Sequence, residues 1–289
     1  MRSSRFFVAL LVVGLVVVPG TARADDPEVG GNSKGNHDLG CQVIEPTGGV
    51  EELSNLPVIA WSDGWYQGNV NGADTVTGYR PGLQKWADAG PYLVVAGTQW
   101  TARAKDSLRC LTWIQSDDSG YADVIDADRL GLAGHSQGAG AVIKAGDGKP
   151  GGKAKGPTLE IADDLHISGV VAMNPYGPSF GTPESIDGPV LFLGGDMDTT
   201  TPTSSYLDVW EIVKSNSGGV LAEFAGGTHN SEAWDNPADG LGNPEENDFG
   251  AFQAVSEQFW AAVLGDSPET MADIGLSLDD RWSMRDWSS

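Results

Sequence analysis

Short, nearly continuous apolar runs recur along the chain. Leu56–Trp61 (LPVIAW), Tyr92–Gly97 (YLVVAG), Leu130–Gly134 (LGLAG), Ile167–Met173 (ISGVVAM), Pro189–Leu193 (PVLFL) and Gly219–Ala225 (GVLAEFA) each read as a strand. Most lack the apolar–polar alternation of a strand wetted on one face, so they predict strands buried on both faces of a parallel sheet. Stretches of helical period lie between them. In 202–215 (PTSSYLDVWEIVKS) Tyr206, Leu207, Trp210 and Val213 recur at helical spacing, behind Thr203 or Ser204 as a cap. In 248–264 (DFGAFQAVSEQFWAAVL) the stripe is Phe249, Phe252, Val255, Phe259, Trp260 and Val263. Both stripes predict core-facing sides. Strand and helix in repeated alternation give an α/β class, with a mainly parallel central sheet flanked by helices.

The start of the chain follows another rule. Two arginines in MRSSRFF precede the apolar run VALLVVGLVVV, and TARA then places small residues at Ala22 and Ala24. A charged start, an apolar middle and an A-x-A end predict a secretory signal peptide over 1–24, cleaved after Ala24. The run falls well short of the ~20 residues that cross a bilayer. The expected location is therefore extracellular or periplasmic. Residues 25–38 are polar and glycine-rich and read as a lead-in, 39–265 as the catalytic domain, and 266–289 as a C-terminal tail. Within the domain, Gly146–Thr158 (GDGKPGGKAKGPT) reads as a surface insertion.

Charge then excludes whole classes of partner. The chain carries 40 acidic and 17 basic residues, a formal charge of −23, and loss of Arg2, Arg5 and Arg23 with the leader makes it three units more negative. Such a surface repels nucleic acid and anionic membranes. Cys41 and Cys110 are the only cysteines, and in an exported protein two cysteines predict one disulfide. No Cys-x-x-Cys pattern or His-rich cluster suggests a metal site.

The chemistry concentrates in LGLAGHSQGAGA. Gly134-His135-Ser136-Gln137-Gly138 fits G-x-S-x-G, with an apolar strand before it and a small-residue helix after it. A serine at that turn stands exposed above the sheet edge, where the helix N-terminus and the Gln137 amide stabilise negative charge. Ser136 is thus the candidate nucleophile. It needs a base, and the chain has four histidines. His37 lies in the lead-in, His135 adjoins Ser136 and supports the turn, and His166 opens a strand at the opposite sheet edge. His229, on the glycine-flanked loop after the last strand (FAGGTHNSEAW), remains. An orienting carboxylate is expected at the end of PVLFL, where both Asp196 and Asp198 stand.

GHSQG, GGDMDTTTP and GGTH together resemble the α/β-hydrolase superfamily. They are most similar to bacterial cutinases and polyester (PET) hydrolases, with dienelactone hydrolases and chlorophyllase-like enzymes as further relatives; the resemblance runs from about Cys41 to Leu264. The acid loop of those enzymes reads G-x-x-D-x-x-x-P, and Gly195 to Pro202 fits it with Asp198 as the acid. The resemblance implies a second oxyanion donor at the Trp65 amide after Gly64. It also implies that the Trp65 and Tyr176 side chains form two walls of an acyl cleft. The implied activity is that of a monomeric, secreted serine esterase with no cofactor, acting on a polyester; esters that are small and soluble, carbohydrate-borne or lipid are the alternative. A fold used only for binding would have no need of an intact nucleophile, base and acid. Gln137 in place of the family's Met, Asp63 in place of Pro or His, and the longer loop Trp65–Gly78 bear on substrate, not on reaction type.

Overall fold

The apolar runs assemble into one sheet in a computed structural model of the chain, which describes residues 35–36, 39–64, 79–97, 104–146, 148, 161–162, 165–176, 186–229, 231, 246–266 and 278–288. Every element below belongs to one compact unit, Lys34–Ser289. The expected leader, and most of the lead-in and the insertion, lie outside the described residues. Among those residues no helix is long and apolar enough to cross a membrane.

In chain order the elements are β1 (Gly35–Asn36), β2 (Cys41–Ile44), β3 (Leu56–Ser62), α1 (Arg80–Ala89), β4 (Leu93–Gly97), α2 (Ala104–Ile114) and β5 (Ile125–His135). There follow α3 (Gln137–Ala145), β6 (Ile167–Met173), β7 (Val190–Gly195), α4 (Leu207–Ser217), β8 (Gly219–Phe224), α5 (Glu246–Leu264) and β9 (Trp282–Ser288). Sheet order is β1-β2-β4-β3-β5-β6-β7-β8-β9. The six strands from β4 to β8 pair in parallel, and β1, β2 and β9 add antiparallel edges. This is an α/β-hydrolase fold.

Period-two geometry splits the strands between two cores. Val58, Ala60, Leu130, Leu132, Val170 and Phe192 face one side, with Leu108 of α2, Val142 of α3 and Trp210 of α4. Ile59, Trp61, Ala133, Val171 and Leu191 face the other, with Trp86 of α1 and Trp260 of α5. Trp86 and Trp260 meet edge to face at 5.9 Å, and Trp86 Nε1 donates to Ser256 Oγ at 3.0 Å. Truncating a tryptophan buried this way costs about 3–5 kcal/mol. Cys41 and Cys110 form a disulfide that pins β2 to α2 across 69 residues of sequence. Closing a loop of that length stabilises by ~4 kcal/mol in the chain-entropy picture.

Three details depart from the sequence expectations. Leu207, assigned to a core stripe, is 36% exposed. Tyr206 takes the buried position beside it, just ahead of α4, because the helix starts later than the apolar pattern. β5 begins five residues before its apolar run: Leu56 pairs with Ile125 and Val58 with Leu130, and the polar residues between are accommodated in a bulge. The segment set apart as a tail carries β9, whose Trp282 is buried 4.9 Å from Phe224 and 5.2 Å from Phe252. Its side chain completes the second core. The side chain of Phe249 lies outside the described residues.

Candidate active site

Parallel strands gather their carboxyl ends on one rim, and the candidate residues lie there. Ser136 sits between β5 and α3 with φ 54° and ψ −117°. A non-glycine residue in that region stores about 1–3 kcal/mol of strain. Three main-chain bonds hold it: Ser136 N–H donates to Met173 O at 3.0 Å, and its carbonyl accepts from Gly140 at 3.2 Å and Tyr176 at 2.9 Å. The flanking glycines are dictated by space. A Cβ on Gly138 would lie 2.0 Å from Ser62 O, and one on Gly134 would lie 2.6 Å from the Gly138 carbonyl carbon. Any side chain at either position would push β3, β5 and α3 apart.

His229, on the loop after β8, faces Ser136: its Nε2 is 3.0 Å from Ser136 Oγ. Its Nδ1 is 2.8 Å from Asp198 Oδ2. A carboxylate only accepts, so Nδ1 carries the proton and Nε2 is left to accept from the serine hydroxyl. Asp198 is 3% exposed. Its Oδ1 accepts from the amides of Thr200 (2.8 Å) and Thr201 (2.7 Å), and its Oδ2 from the Thr201 hydroxyl at 2.6 Å. Burial alone would raise this carboxyl. The hydrogen bond and charge of His229, with the Thr201 hydroxyl and amide, outweigh burial and hold it below its ordinary value. The row from hydroxyl through imidazole to carboxylate has the geometry for general-base activation of a serine.

Asp196 stands apart from that row. It accepts the Gly226 amide at 2.6 Å, bracing the turn before His229 from an exposed position. His135 is buried behind the site: its Nε2 donates to the His229 carbonyl at 2.8 Å, and its Nδ1 meets the Tyr79 hydroxyl at 2.5 Å. His166 is exposed just before β6, and His37 lies outside the described residues.

Gln137 is the first residue of α3, and its amide is one of the helix-start donors that lack an intrahelical acceptor. Trp65 lies outside the described residues. Gly64 just before it passes close to the site, since a Cβ there would lie 3.1 Å from Ser136 Cβ. Tyr176 is half-buried and adjoins Ser136 through its amide. Among the described residues no group of three or more His, Cys, Asp or Glu could hold a metal.

Three residues of this network escape the sequence patterns. Thr201 is one of three consecutive threonines with nothing local to single it out. Tyr79 is 56 residues from its partner His135. Asn174 lies at the end of β6 with a positive φ of 42°, and its Asn-Pro context is the signal that could have marked a special turn.

No protein-family model matches the chain, and no curated protein matches its sequence. Solved structures do match. One is the native form of Est2, a thermophilic esterase from the planctomycete Thermogutta terrifontis, with a TM-score of 0.57 and 14% identity over 79% of this chain and 90% of that one. At that identity the likeness is one of fold.

Proposed function

We propose that the protein is a secreted carboxylic ester hydrolase with Ser136 as nucleophile, His229 as base and Asp198 as orienting acid. The observation that carries this is the unbroken row at the strained turn: Ser136 Oγ to His229 Nε2 at 3.0 Å, and His229 Nδ1 to Asp198 Oδ2 at 2.8 Å. A fold shared with a protein described as an esterase supports it.

Ser136 Oγ attacks the ester carbonyl as its proton passes to His229 Nε2. The negative charge that forms on the carbonyl oxygen falls to the Gln137 amide at the start of α3 and, by the family resemblance, to the Trp65 amide. Collapse expels the alcohol, which takes the proton from His229. Water then attacks the acyl-enzyme, gives its proton to the same nitrogen, and the free acid leaves as Ser136 is reprotonated. Asp198 keeps the imidazole in the Nδ1–H form throughout and offsets its transient charge.

Within this class the motif resemblance favours a cutinase-like polyester hydrolase, with Trp65 and Tyr176 flanking the acyl group. Comparing release from an aromatic polyester film, a polyhydroxyalkanoate and tributyrin decides between polymer and small or lipid esters. For the reaction itself, a fluorophosphonate should label Ser136, and Ser136→Ala should lower turnover of a short p-nitrophenyl ester by at least ~10³-fold at unchanged melting temperature. Retained turnover would overturn the assignment.

A further inference from the structure

Acid and base come from loops after different strands, β7 and β8, yet one side chain grips both. Asn174 is fully buried at the end of β6. Its Nδ2 donates to Thr228 O at 3.1 Å and His229 O at 3.2 Å, on the base loop. Its Oδ1 accepts the Gly195 amide at 3.0 Å, where the acid loop begins. Its own carbonyl stands 3.0 Å from the Thr201 hydroxyl, whose proton it shares with Asp198 Oδ2, and its amide donates to Leu193 O at 2.7 Å. The preceding residue, Met173, accepts the Ser136 amide. Asn174 therefore touches the supports of all three members of the row and none of their reacting atoms.

The chemistry of these partners admits little besides a carboxamide. Two carbonyls must receive hydrogens while an N–H beside them must find an acceptor, and Nδ2H2 with Oδ1 supplies both. Turning the amide over would set oxygen against two carbonyls and hydrogens against an N–H, so its orientation is fixed. An ionised aspartate has the acceptor but no donor. Alanine has neither: the buried Gly195 amide loses its acceptor, at about 1–3 kcal/mol, and the Thr228 and His229 carbonyls lose a donor, the second keeping His135 Nε2. A positive φ, which Asn tolerates better than most residues, completes the fit.

The grip on His229 is doubled. Its carbonyl accepts from Asn174 and also from the Nε2 of His135, one residue before the nucleophile. Main-chain rotation at position 229 sets where the imidazole points, and Nε2 and Nδ1 must reach Ser136 and Asp198 together.

Resting on the ester-hydrolase reading above, we propose that Asn174 is a positioning residue that fixes the main chain of His229 relative to the nucleophile turn and the acid loop. Removing its donors lets the base drift by a fraction of an ångström, and misplacement of about 1 Å costs on the order of 10²-fold in rate. Substrate contacts are untouched, so the loss falls on kcat and not on KM.

The test uses the full-length secreted protein and two variants. Asn174→Asp keeps shape and acceptor but loses the donors; Asn174→Gly keeps the backbone freedom and loses the side chain. Rates for a short p-nitrophenyl ester are normalised to the folded fraction from near-UV circular dichroism. The expected result is a fall in kcat of at least about tenfold in both variants with KM within about threefold. Fluorophosphonate labelling should slow in parallel, and the low-field proton resonance of His229 Nδ1–H should shift. The proposal is overturned if a folded variant keeps kcat within about twofold of the wild type, or if the loss lies in KM. It is equally overturned if neither variant folds, which would make Asn174 a folding determinant. A wild type inert toward ester and fluorophosphonate would instead refute the ester-hydrolase reading. The Nδ1–H resonance, which needs no turnover, then judges Asn174 by itself.

Discussion

The two ends of β5 are tied to their surroundings by opposite means. In the amino-terminal half Arg129 reaches outward: Nε to Asp126 at 2.7 Å, Nη1 to the Leu264 carbonyl at 3.1 Å and Asp266 at 3.0 Å, and Nη2 to the Asn55 carbonyl. One cation thus joins the sheet, the end of α5 and the turn into β3. At the carboxyl end the ties seen among the described residues are made by the buried side chains of Asn174, His135 and Thr201 and by main-chain amides. Each end even carries an asparagine at positive φ, Asn55 at 57° and Asn174 at 42°. The second puts its side chain between loops, whereas the first offers its main-chain carbonyl. The difference follows from what each end does. A guanidinium buried beside His229 would add a second fixed charge to the row, whereas braces without one leave Asp198 as its charged partner. At the far end only cohesion is required, and a charge that partly meets solvent serves.

The sharpest way to break this contrast is at the acid. Asp198→Asn should lower kcat by about 10³–10⁴-fold, because an amide can present a donor to Nδ1 and reverse the tautomer. Asp196→Asn, which retains an acceptor for Gly226, should stay within about threefold. Steady-state kinetics on both variants would expose the reverse order, and with it a wrong choice of acid. Arg129→Ala comes next. It should cost about 1–3 kcal/mol in urea unfolding while kcat stays within about twofold, with little of the loss from the exposed partner Asp266. A large fall in kcat would mean that the two ends are not independent.

The smallest effect concerns pH. Asp198 is held below its ordinary value of 3.8, so its stabilising contribution is complete above that pH and is lost as pH falls through the lower folded value. Thr201→Val removes one of the bonds that depress it. The acid-unfolding curve should move to higher pH, with a loss of about 1 kcal/mol or less near neutrality. A curve that overlays the wild type would assign the depression to His229 and the amides.

What is legible in the sequence is the part of the molecule governed by local rules. Buried parallel strands announce themselves as apolar runs, so the six central strands can be placed, and their ends point to Ser136, to His229 and to the pair Asp196 and Asp198, between which the family resemblance chooses Asp198. The edges are harder. β2 has four residues, and the sequence of β9 (WSMRDWS) interleaves polar and charged residues with its aromatics, so neither offers a continuous apolar signal. The braces leave little local trace, His135 only as the neighbour of Ser136 and Asn174 only through its Asn-Pro context. Asn174 and Thr228 are 54 residues apart and His135 and His229 are 94, so only the assembled sheet brings them together. A side chain that acts by holding another loop leaves no periodicity behind.

The disulfide has a consequence beyond stability. Cys41 and Cys110 enclose β3, α1 and β4 in a covalent ring, since the bond closes on the chain that carries them. A single proteolytic cut anywhere between those cysteines opens the ring without parting the fragments. The nicked protein would run as one band on a non-reducing gel and as two after thiol treatment. Because β3 and β4 lie inside the sheet, such a nick would leave both halves tethered where they can pair again.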